Sequence, residues 1–122
     1  MIALSTGEPA GIGPDICLSL ALAPRNARLV ALADPELMRE RARQLGVAVE
    51  IHVLEDTAET AVHRPGSLQV CAHRLRAPVV AGRTDPANAP YVIDLLTEGA
   101  AGCLAGRYDA LVTAPVQKSV IA

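Results

Sequence analysis

The chain has 122 residues, of which 51% are hydrophobic, and its 11 basic residues nearly balance 13 acidic ones. This length suits one domain with a substantial core, and the net charge of −2 without a basic stripe argues against a nucleic-acid-binding protein. No apolar run is long enough to cross a bilayer and no basic segment precedes one, so we expect a cytoplasmic protein without a membrane partner.

Aromatic and sulfur-containing residues are few. Phenylalanine and tryptophan are absent and only two tyrosines occur, so the core must consist of Ala, Val, Leu and Ile, as in helices packed closely on a sheet. Cys17, Cys71 and Cys103 form an odd set without C-x-x-C spacing. We expect reduced, mostly buried thiols and no redox or nucleophilic cysteine.

The chain opens with a strand–turn–helix pattern. The apolar run 2–5 is followed by Gly-Glu-Pro-Ala-Gly-Ile-Gly-Pro-Asp at 7–15, and its three glycines permit backbone angles that a Cβ forbids. Pro14 suits a first helical position because its missing N–H would have no helical partner there. The helix at about 14–23 carries no charge after Asp15, so we expect it to be buried on more than one side.

A second strand–helix unit follows. Leu29-Val30-Ala31-Leu32 is a continuous apolar strand of the kind found inside parallel sheets. Asp34-Pro35 repeats a cap-then-proline helix start, and Gly46 ends that helix. The apolar side of this helix comprises Leu37, Met38, Arg41, Ala42 and Leu45, and its water-facing side comprises Glu36, Arg39, Glu40 and Arg43. The pattern is typical of a surface helix with solvated charges.

The middle of the chain holds shorter signals. Residues 47–54 alternate between apolar and polar, which predicts a strand near a sheet edge. The polar segment 55–66 is typical of a loop, Leu68 and Val70 start a further short strand, and 74–84 mixes strand and turn residues.

The clearest helix pattern lies near 87–105, after a third cap-and-proline start at Asp85-Pro86. Gly99 and Gly102 would each weaken this helix by about 1 kcal/mol relative to Ala, and our hypothesis is that another helix or subunit packs closely there. Residues 109–113 then predict a buried strand. The apolar side of the helix comprises Tyr91, Val92, Leu95, Leu96, Ala100, Cys103 and Leu104.

Strand and helix signals alternate along the whole chain. This alternation predicts a single α/β domain over 1–122, a three-layer α/β/α sandwich with a mostly parallel sheet. Ligands of such sheets bind beyond the carboxyl ends of the strands, where the turns 7–15 and 113–118 would lie. Because 109–113 would end in the middle of a sheet, we expect the chain to be part of a longer polypeptide.

Those two turns supply the candidates for a substrate- or cofactor-proximal site, namely Gly7, Glu8, Gly11, Gly13, Asp15, Thr113 and Lys118. Free amides at a positive helix end would attract a phosphate or carboxylate. The alternative is a tight strand-to-helix connection without a ligand, since the stretch fits neither G-x-x-x-x-G-K-[ST] nor G-x-G-x-x-G. In that case Glu8 orients the loop, Asp15 caps the helix, Thr113 holds its turn, and Lys118 is solvent-exposed rather than bound to an anionic substrate.

The three histidines are widely separated. His52, His63 and His73 fall on different predicted elements and lack metal-ligand spacing. We therefore predict no metal site among them.

Three segments carry a resemblance to a known family. Ser5-Thr6-Gly7-Glu8-Pro9-Ala10-Gly11-Ile12-Gly13-Pro14-Asp15 resembles the amino-terminal signature T-P-G-[DE]-P-A-G-I-G-P-[DE] of 4-hydroxythreonine-4-phosphate dehydrogenases, with Ser-Thr in place of Thr-Pro. Leu75-Arg76-Ala77-Pro78-Val79-Val80-Ala81-Gly82 and Ala110-Leu111-Val112-Thr113-Ala114-Pro115-Val116-Gln117-Lys118 also agree with the family. The resemblance covers the whole chain, but only about the first third of a family member.

This resemblance implies a fold like that of isocitrate and isopropylmalate dehydrogenases, and a homodimeric enzyme of pyridoxal phosphate biosynthesis. Such an enzyme uses NAD and a divalent metal ion (zinc, magnesium or cobalt) to oxidise the small phosphorylated substrate 4-phosphonooxy-L-threonine, and the product then loses carbon dioxide. The family's metal-binding histidines and substrate-gripping residues lie downstream of this region. We therefore assign no catalytic or metal-binding residue here and expect the 122 residues alone to bind neither group and to be inactive.

Two alternatives stay open. Paralogous dehydrogenases of the same signature act on other phosphorylated hydroxyacids or on cyclic dihydrodiols. The second alternative is that the chain alone is a non-catalytic α/β module that supports folding and dimerisation.

Overall fold

A computed structural model of the protein describes residues 1–114, which form a five-stranded sheet with helices on both faces. All paired strands run parallel, in the order β3-β4-β2-β1-β5. The strands are β1 (Ile2–Ser5), β2 (Leu29–Ala33), β3 (Glu50–Leu54), β4 (Ser67–Ala72) and β5 (Ala110–Thr113). The α-helices are α1 (Gly13–Ala21), α2 (Pro35–Leu45) and α3 (Ala89–Leu104), and 3-10 turns occupy Thr57–Glu59 and Pro86–Asn88. The predicted parallel α/β sheet is confirmed.

Two apolar clusters lie on opposite faces of the sheet. One contains Leu18 of α1, Met38 of α2 and Val70 of β4. The other contains Val30 of β2 together with Tyr91 of α3. Successive residues of a strand point to opposite faces, so helices cover both sides and the predicted three-layer arrangement is confirmed.

The cap-and-proline signals mark real helix starts. Asp34 lies before α2, and its Oδ1 accepts hydrogen bonds from the backbone N–H groups of Glu36 and Leu37. Gly46, with a φ of +69°, ends this helix as predicted. Asp85 accepts from the N–H of Ala87 and begins the 3-10 turn that leads into α3.

The first helix is less buried than its composition suggested. Cys17 and Leu18 face the interior, but Ile12 just before the helix is 60% exposed, and Ile16 and Leu22 are also exposed. Burial on more than one side is therefore wrong for the part of the protein that the structure covers. The apolar composition of a helix shows that its side chains can be buried. Whether they are buried depends on a neighbouring element that covers them.

Strand β5 also differs from its prediction. It pairs with β1 alone among residues 1–114 and forms an edge of the sheet, so Val112 is 54% exposed instead of buried. At the opposite edge, β3 confirms the predicted edge strand, although Val53 is exposed and the strand begins at Glu50.

The interior side of α3 is made partly by glycines. Gly99 and Gly102 are buried, whereas Leu104 is exposed despite its expected place on the apolar side. Ala100 is likewise exposed, as is Leu45 of α2, so these three positions were predicted wrongly.

The same glycines explain how tightly α3 sits on the sheet. A Cβ at Gly99 would lie 2.6 Å from Cδ1 of Leu111, and one at Gly102 would lie 2.2 Å from Cε2 of Tyr108. The close approach expected there exists, and within the described residues it comes from Leu111 and Tyr108 of the β5 region rather than from another helix.

The segment after β4 forms a loop in place of the strand that its sequence allowed. Val80 and Arg83 make an isolated antiparallel bridge around Gly82, and the Gly82 N–H donates to the Ala10 carbonyl at 2.8 Å. This turn therefore packs against the glycine-rich loop. None of the helices within residues 1–114 has the length and apolar character needed to cross a bilayer.

Candidate functional site

The glycine-rich loop leaves the carboxyl end of β1, as predicted for a ligand-binding turn. Gly7 has a φ of +68°, a conformation that favours glycine. Gly13 meets a different constraint, because a Cβ there would lie 1.8 Å from the Thr6 carbonyl oxygen and 2.9 Å from Cβ of Ala114. Gly11 has more room, with no atom closer than 3.4 Å to such a Cβ. Two of the three candidate glycines are therefore required by the backbone itself.

Glu8 lies beneath the loop and organises it. Its side chain is buried, Oε1 accepts from the Ala10 N–H at 3.2 Å, and its carbonyl accepts from the Gly11 N–H at 3.0 Å. The second carboxylate oxygen, Oε2, is buried and has no hydrogen-bond partner within residues 1–114, and the same holds for Oγ of Ser5. Two buried polar atoms thus stay unsatisfied beside the loop, where such groups normally have partners.

Asp15 does not cap α1. The N-cap position is Ile12, without a side-chain cap, and Asp15 Oδ1 instead accepts from Nη1 of Arg41 at 2.6 Å. The prediction of a helix cap is wrong because a guanidinium from α2 reaches this carboxylate. Arg41 also donates to the carbonyls of Gly11 at 3.0 Å and Pro9 at 2.8 Å.

Arg41 is the residue that sequence reasoning left without a role. Its placement on the apolar side of α2 was predicted correctly, and it is only 5% exposed. A buried charge needs a partner, so the sequence did signal a hidden acceptor. It could not show that the acceptors lie about 30 residues earlier, in the glycine-rich loop.

The second predicted turn begins beside the first. Thr113 is in register with Ser5, and the N–H of Ala114 donates to the Ser5 carbonyl at 2.9 Å. The carboxyl ends of β1 and β5 are therefore adjacent, and a Cβ added at Gly13 would lie 2.9 Å from Cβ of Ala114. Lys118 lies outside the described residues. The structure thus brings the glycine-rich loop and Thr113 together at the carboxyl ends of β1 and β5.

A buried tyrosine, Tyr91, forms hydrogen-bonded contacts beyond the carboxyl end of the neighbouring strand β2. The sequence did not predict these contacts. The Tyr91 hydroxyl accepts from the Asp34 N–H at 3.0 Å, and Asp34 Oδ2 accepts from the Leu75 N–H at 2.9 Å. Thr6 donates through Oγ1 to the Leu32 carbonyl at 3.3 Å. Burial raises the pKa of Tyr91 to about 12.

The described residues do not provide a metal centre on their own. His52 lies on β3, His63 contacts the Ala21 carbonyl through Nε2 at 3.1 Å, and His73 follows β4. Within residues 1–114 no three side chains of the metal-ligating types converge. Cys17 is buried and its pKa is raised to about 11 by desolvation, which disfavours a thiolate.

A groove lies elsewhere in the described part of the chain. It has a volume of about 490 Å³ and is bordered by β3, β4 and the loop at 59–66. This groove does not include the glycine-rich loop or Thr113.

A family model described as "Pyridoxal phosphate biosynthetic protein PdxA" matches residues 25–122. The chain belongs to the PdxA family. Among similar proteins, the 4-hydroxythreonine-4-phosphate dehydrogenase of Methylococcus capsulatus is 49% identical over 118 residues, which cover 97% of this chain and 36% of that protein. The enzyme of the same name from Thioalkalivibrio sulfidiphilus is 50% identical over 120 residues, which are 98% of this chain and 36% of that protein.

A solved PdxA-family structure shows the same fold. The 4-hydroxythreonine-4-phosphate dehydrogenase of Klebsiella pneumoniae superposes with a TM-score of 0.88 and 26% identity, covering 99% of this chain and 38% of that one. The family resemblance inferred from residues 5–15 is therefore confirmed, as is the fold. The chain spans only about 36% of the length of the curated PdxA-family relatives.

Proposed function

We propose that this chain is the amino-terminal part of an NAD-dependent 4-hydroxythreonine-4-phosphate dehydrogenase. The observation that carries the proposal is the 49–50% identity to relatives of that name over nearly the whole chain. The substrate would be 4-phosphonooxy-L-threonine, oxidised at its hydroxyl carbon to a 3-oxo acid that then loses carbon dioxide. NAD supplies the hydride acceptor when bound.

The role of these residues in that reaction is to shape one wall of the site. The loop holding Gly7, Glu8 and Gly11, the start of α1 at Gly13, and Thr113 meet at the carboxyl edge of the sheet. The amino end of α1 carries a partial positive charge, which favours an anionic group of the substrate or cofactor there.

We do not assign metal ligands to residues 1–114. The family resemblance implies a divalent metal ion, but the side chains within residues 1–114 do not fit one. We therefore propose that the metal ligands come from further along the polypeptide. On this proposal the 122 residues alone do not catalyse the reaction. From the family resemblance we also propose that the complete protein is a cytoplasmic homodimer.

The test is a turnover assay on the complete gene product that contains this chain. NADH formation is followed with 4-hydroxythreonine-4-phosphate, NAD and a divalent metal ion, and the 122-residue chain serves as the matched control. We expect turnover by the complete protein and none by the control. Turnover with another phosphorylated hydroxyacid or a cyclic dihydrodiol, and not with 4-hydroxythreonine-4-phosphate, would assign the chain to a paralogous dehydrogenase instead.

A further inference from the structure

Arg41 is a buried cation whose hydrogen bonds end on the glycine-rich loop and the first turn of α1. It lies on α2 beside Met38 and Ala42, which are also buried. Burying a guanidinium is costly unless its charge and its N–H groups are satisfied. The Asp15 carboxylate supplies the opposite charge, and two loop carbonyls supply the remaining acceptors.

The two carbonyls matter because each belongs to a planar peptide unit. The Pro9 carbonyl shares its plane with the Ala10 N–H, which donates to Glu8 Oε1, so Arg41 and Glu8 hold this one unit from opposite sides. The Gly11 carbonyl shares its plane with the Ile12 N–H. Because every peptide bond described is trans, the Ile12 N–H points away from Arg41.

We propose that Arg41 is a positioning residue that fixes the backbone of the glycine-rich loop for ligand binding, a role that rests on the proposed function. It does not bind the ligand itself, because it is buried and its charge is paired with Asp15. Its effect is to fix the orientation of the Pro9–Ala10 and Gly11–Ile12 peptide units, and with them the shape of the loop before α1. Since the role is geometric, a cation that cannot form the same three hydrogen bonds does not replace it.

The alternative is that Arg41 merely joins α1 to α2. A single ion pair with Asp15 would be enough for that purpose. Two of the three hydrogen bonds instead end on loop carbonyls outside either helix, at Pro9 and Gly11. The structure therefore links the guanidinium to the shape of the loop as well as to the helix pair.

The experiment compares R41K and R41A with wild type in the complete gene product, with R43A as the matched control. Arg43 lies on the same helix but is exposed, and its ion pair is with Glu40 alone among the contacts described. Amide hydrogen exchange of residues 7–13, kcat and KM are measured for each. R41K keeps the charge, so it tests geometry even where R41A does not fold.

We expect R41K to exchange loop amides about tenfold faster than wild type, and to lose roughly 10²-fold in kcat/KM because a loop shift near 1 Å misplaces the ligand. R41K should lose kcat/KM although its melting temperature stays above the assay temperature. R43A should match wild type in loop exchange, kcat and KM. In R41A, added guanidinium should restore part of kcat/KM while an equal concentration of sodium chloride should not.

The outcomes separate the two proposals. Wild type without turnover refutes the proposed dehydrogenase activity, whatever the variants do. Loop exchange in R41K equal to that of wild type, or faster exchange with unchanged kcat and KM in an active enzyme, overturns the positioning role of Arg41.

Discussion

Replacing Gly13 by alanine tests whether α1 is seated on the end of β1 as described. A Cβ at this position would lie 1.8 Å from the Thr6 carbonyl oxygen and 2.9 Å from Cβ of Ala114. The φ of Gly13 is not in the left-handed region, so alanine could adopt the backbone conformation. The conflict is therefore purely steric, and the nearest obstacle is backbone that cannot rotate away.

The size of the effect follows from that gap. Non-bonded atoms of this kind rest about 3.5 Å apart, so the start of α1 would have to retreat by roughly 1.7 Å. Overpacking of this kind costs about 1–3 kcal/mol, whereas alanine in place of glycine would favour a helix by up to about 1 kcal/mol. Because the clash is severe and is with backbone, we take the upper end of the overpacking cost, and after the helix gain we expect Gly13→Ala to lower the free energy of unfolding by about 2 kcal/mol.

Gly11→Ala is the matched control, two residues earlier in the same loop. Its Cβ would meet no atom closer than 3.4 Å, and loss of unfolded-state freedom should stabilise the variant by about 0.5 kcal/mol. Urea denaturation of the two variants and wild type measures both effects. A Gly13→Ala variant at least as stable as wild type would refute the close contact between α1 and Thr6.

Three further predictions concern other contacts. Burial raises the pKa of Tyr91 and of Tyr108 to about 12, so phenolate absorbance of the folded chain should not rise near pH 10. Because the unfolded chain loses these protons near pH 10, the free energy of unfolding should fall as pH rises from about 10 to about 12, and a normal titration at pH 10 before unfolding would contradict this. Asp34→Ala should cost about 2 kcal/mol in urea denaturation, against about 1 kcal/mol for Asp85→Ala, because the Asp34 carboxylate accepts three hydrogen bonds and the Asp85 carboxylate accepts one. Equal losses would contradict the contact between Asp34 and the loop after β4. Gly102→Ala should cost about 2 kcal/mol, because its Cβ would lie 2.2 Å from the Tyr108 ring, and should move the pKa of Tyr108 towards its ordinary value; unchanged stability would mean that the ring can move aside.

Local signals in the sequence were sufficient for the elements themselves. A capping carboxylate followed by proline, as at Asp34 and Asp85, gives the first N–H groups of a helix an acceptor and fixes a helical φ. Gly46 supplies the left-handed conformation that ends α2. These interactions join residues that are close in sequence, so the local sequence is sufficient to predict them.

Contacts between distant residues could not be predicted in the same way. Nothing local shows that β4 lies between β3 and β2, or that Arg41 reaches the loop preceding α1. The predicted helix-capping role of Asp15 was wrong because its partner, Arg41, lies far away in the sequence. Exposure of Ile16 and of Val112 depends on which elements lie beside them, and side-chain character alone does not supply that information.

The sequence predicted where the two candidate turns lie, but not how they are built, and ligand binding there stays a prediction. The rule that ligands bind beyond the carboxyl ends of parallel strands placed the turn at 7–15 beside Thr113. It could not show that Gly7 is required by its φ, Gly13 by close packing, and Glu8 by its hydrogen bonds beneath the loop.

Hydrogen exchange of the complete gene product with and without ligands tests most directly whether this edge of the sheet is the binding site. Saturating 4-hydroxythreonine-4-phosphate and NAD should slow amide exchange in residues 5–13, with residues 59–69 of the groove beside β3 and β4 as the internal reference. We expect protection of the glycine-rich loop and an unchanged groove. Protection of the groove with none at the loop would contradict a ligand-binding edge at β1 and β5.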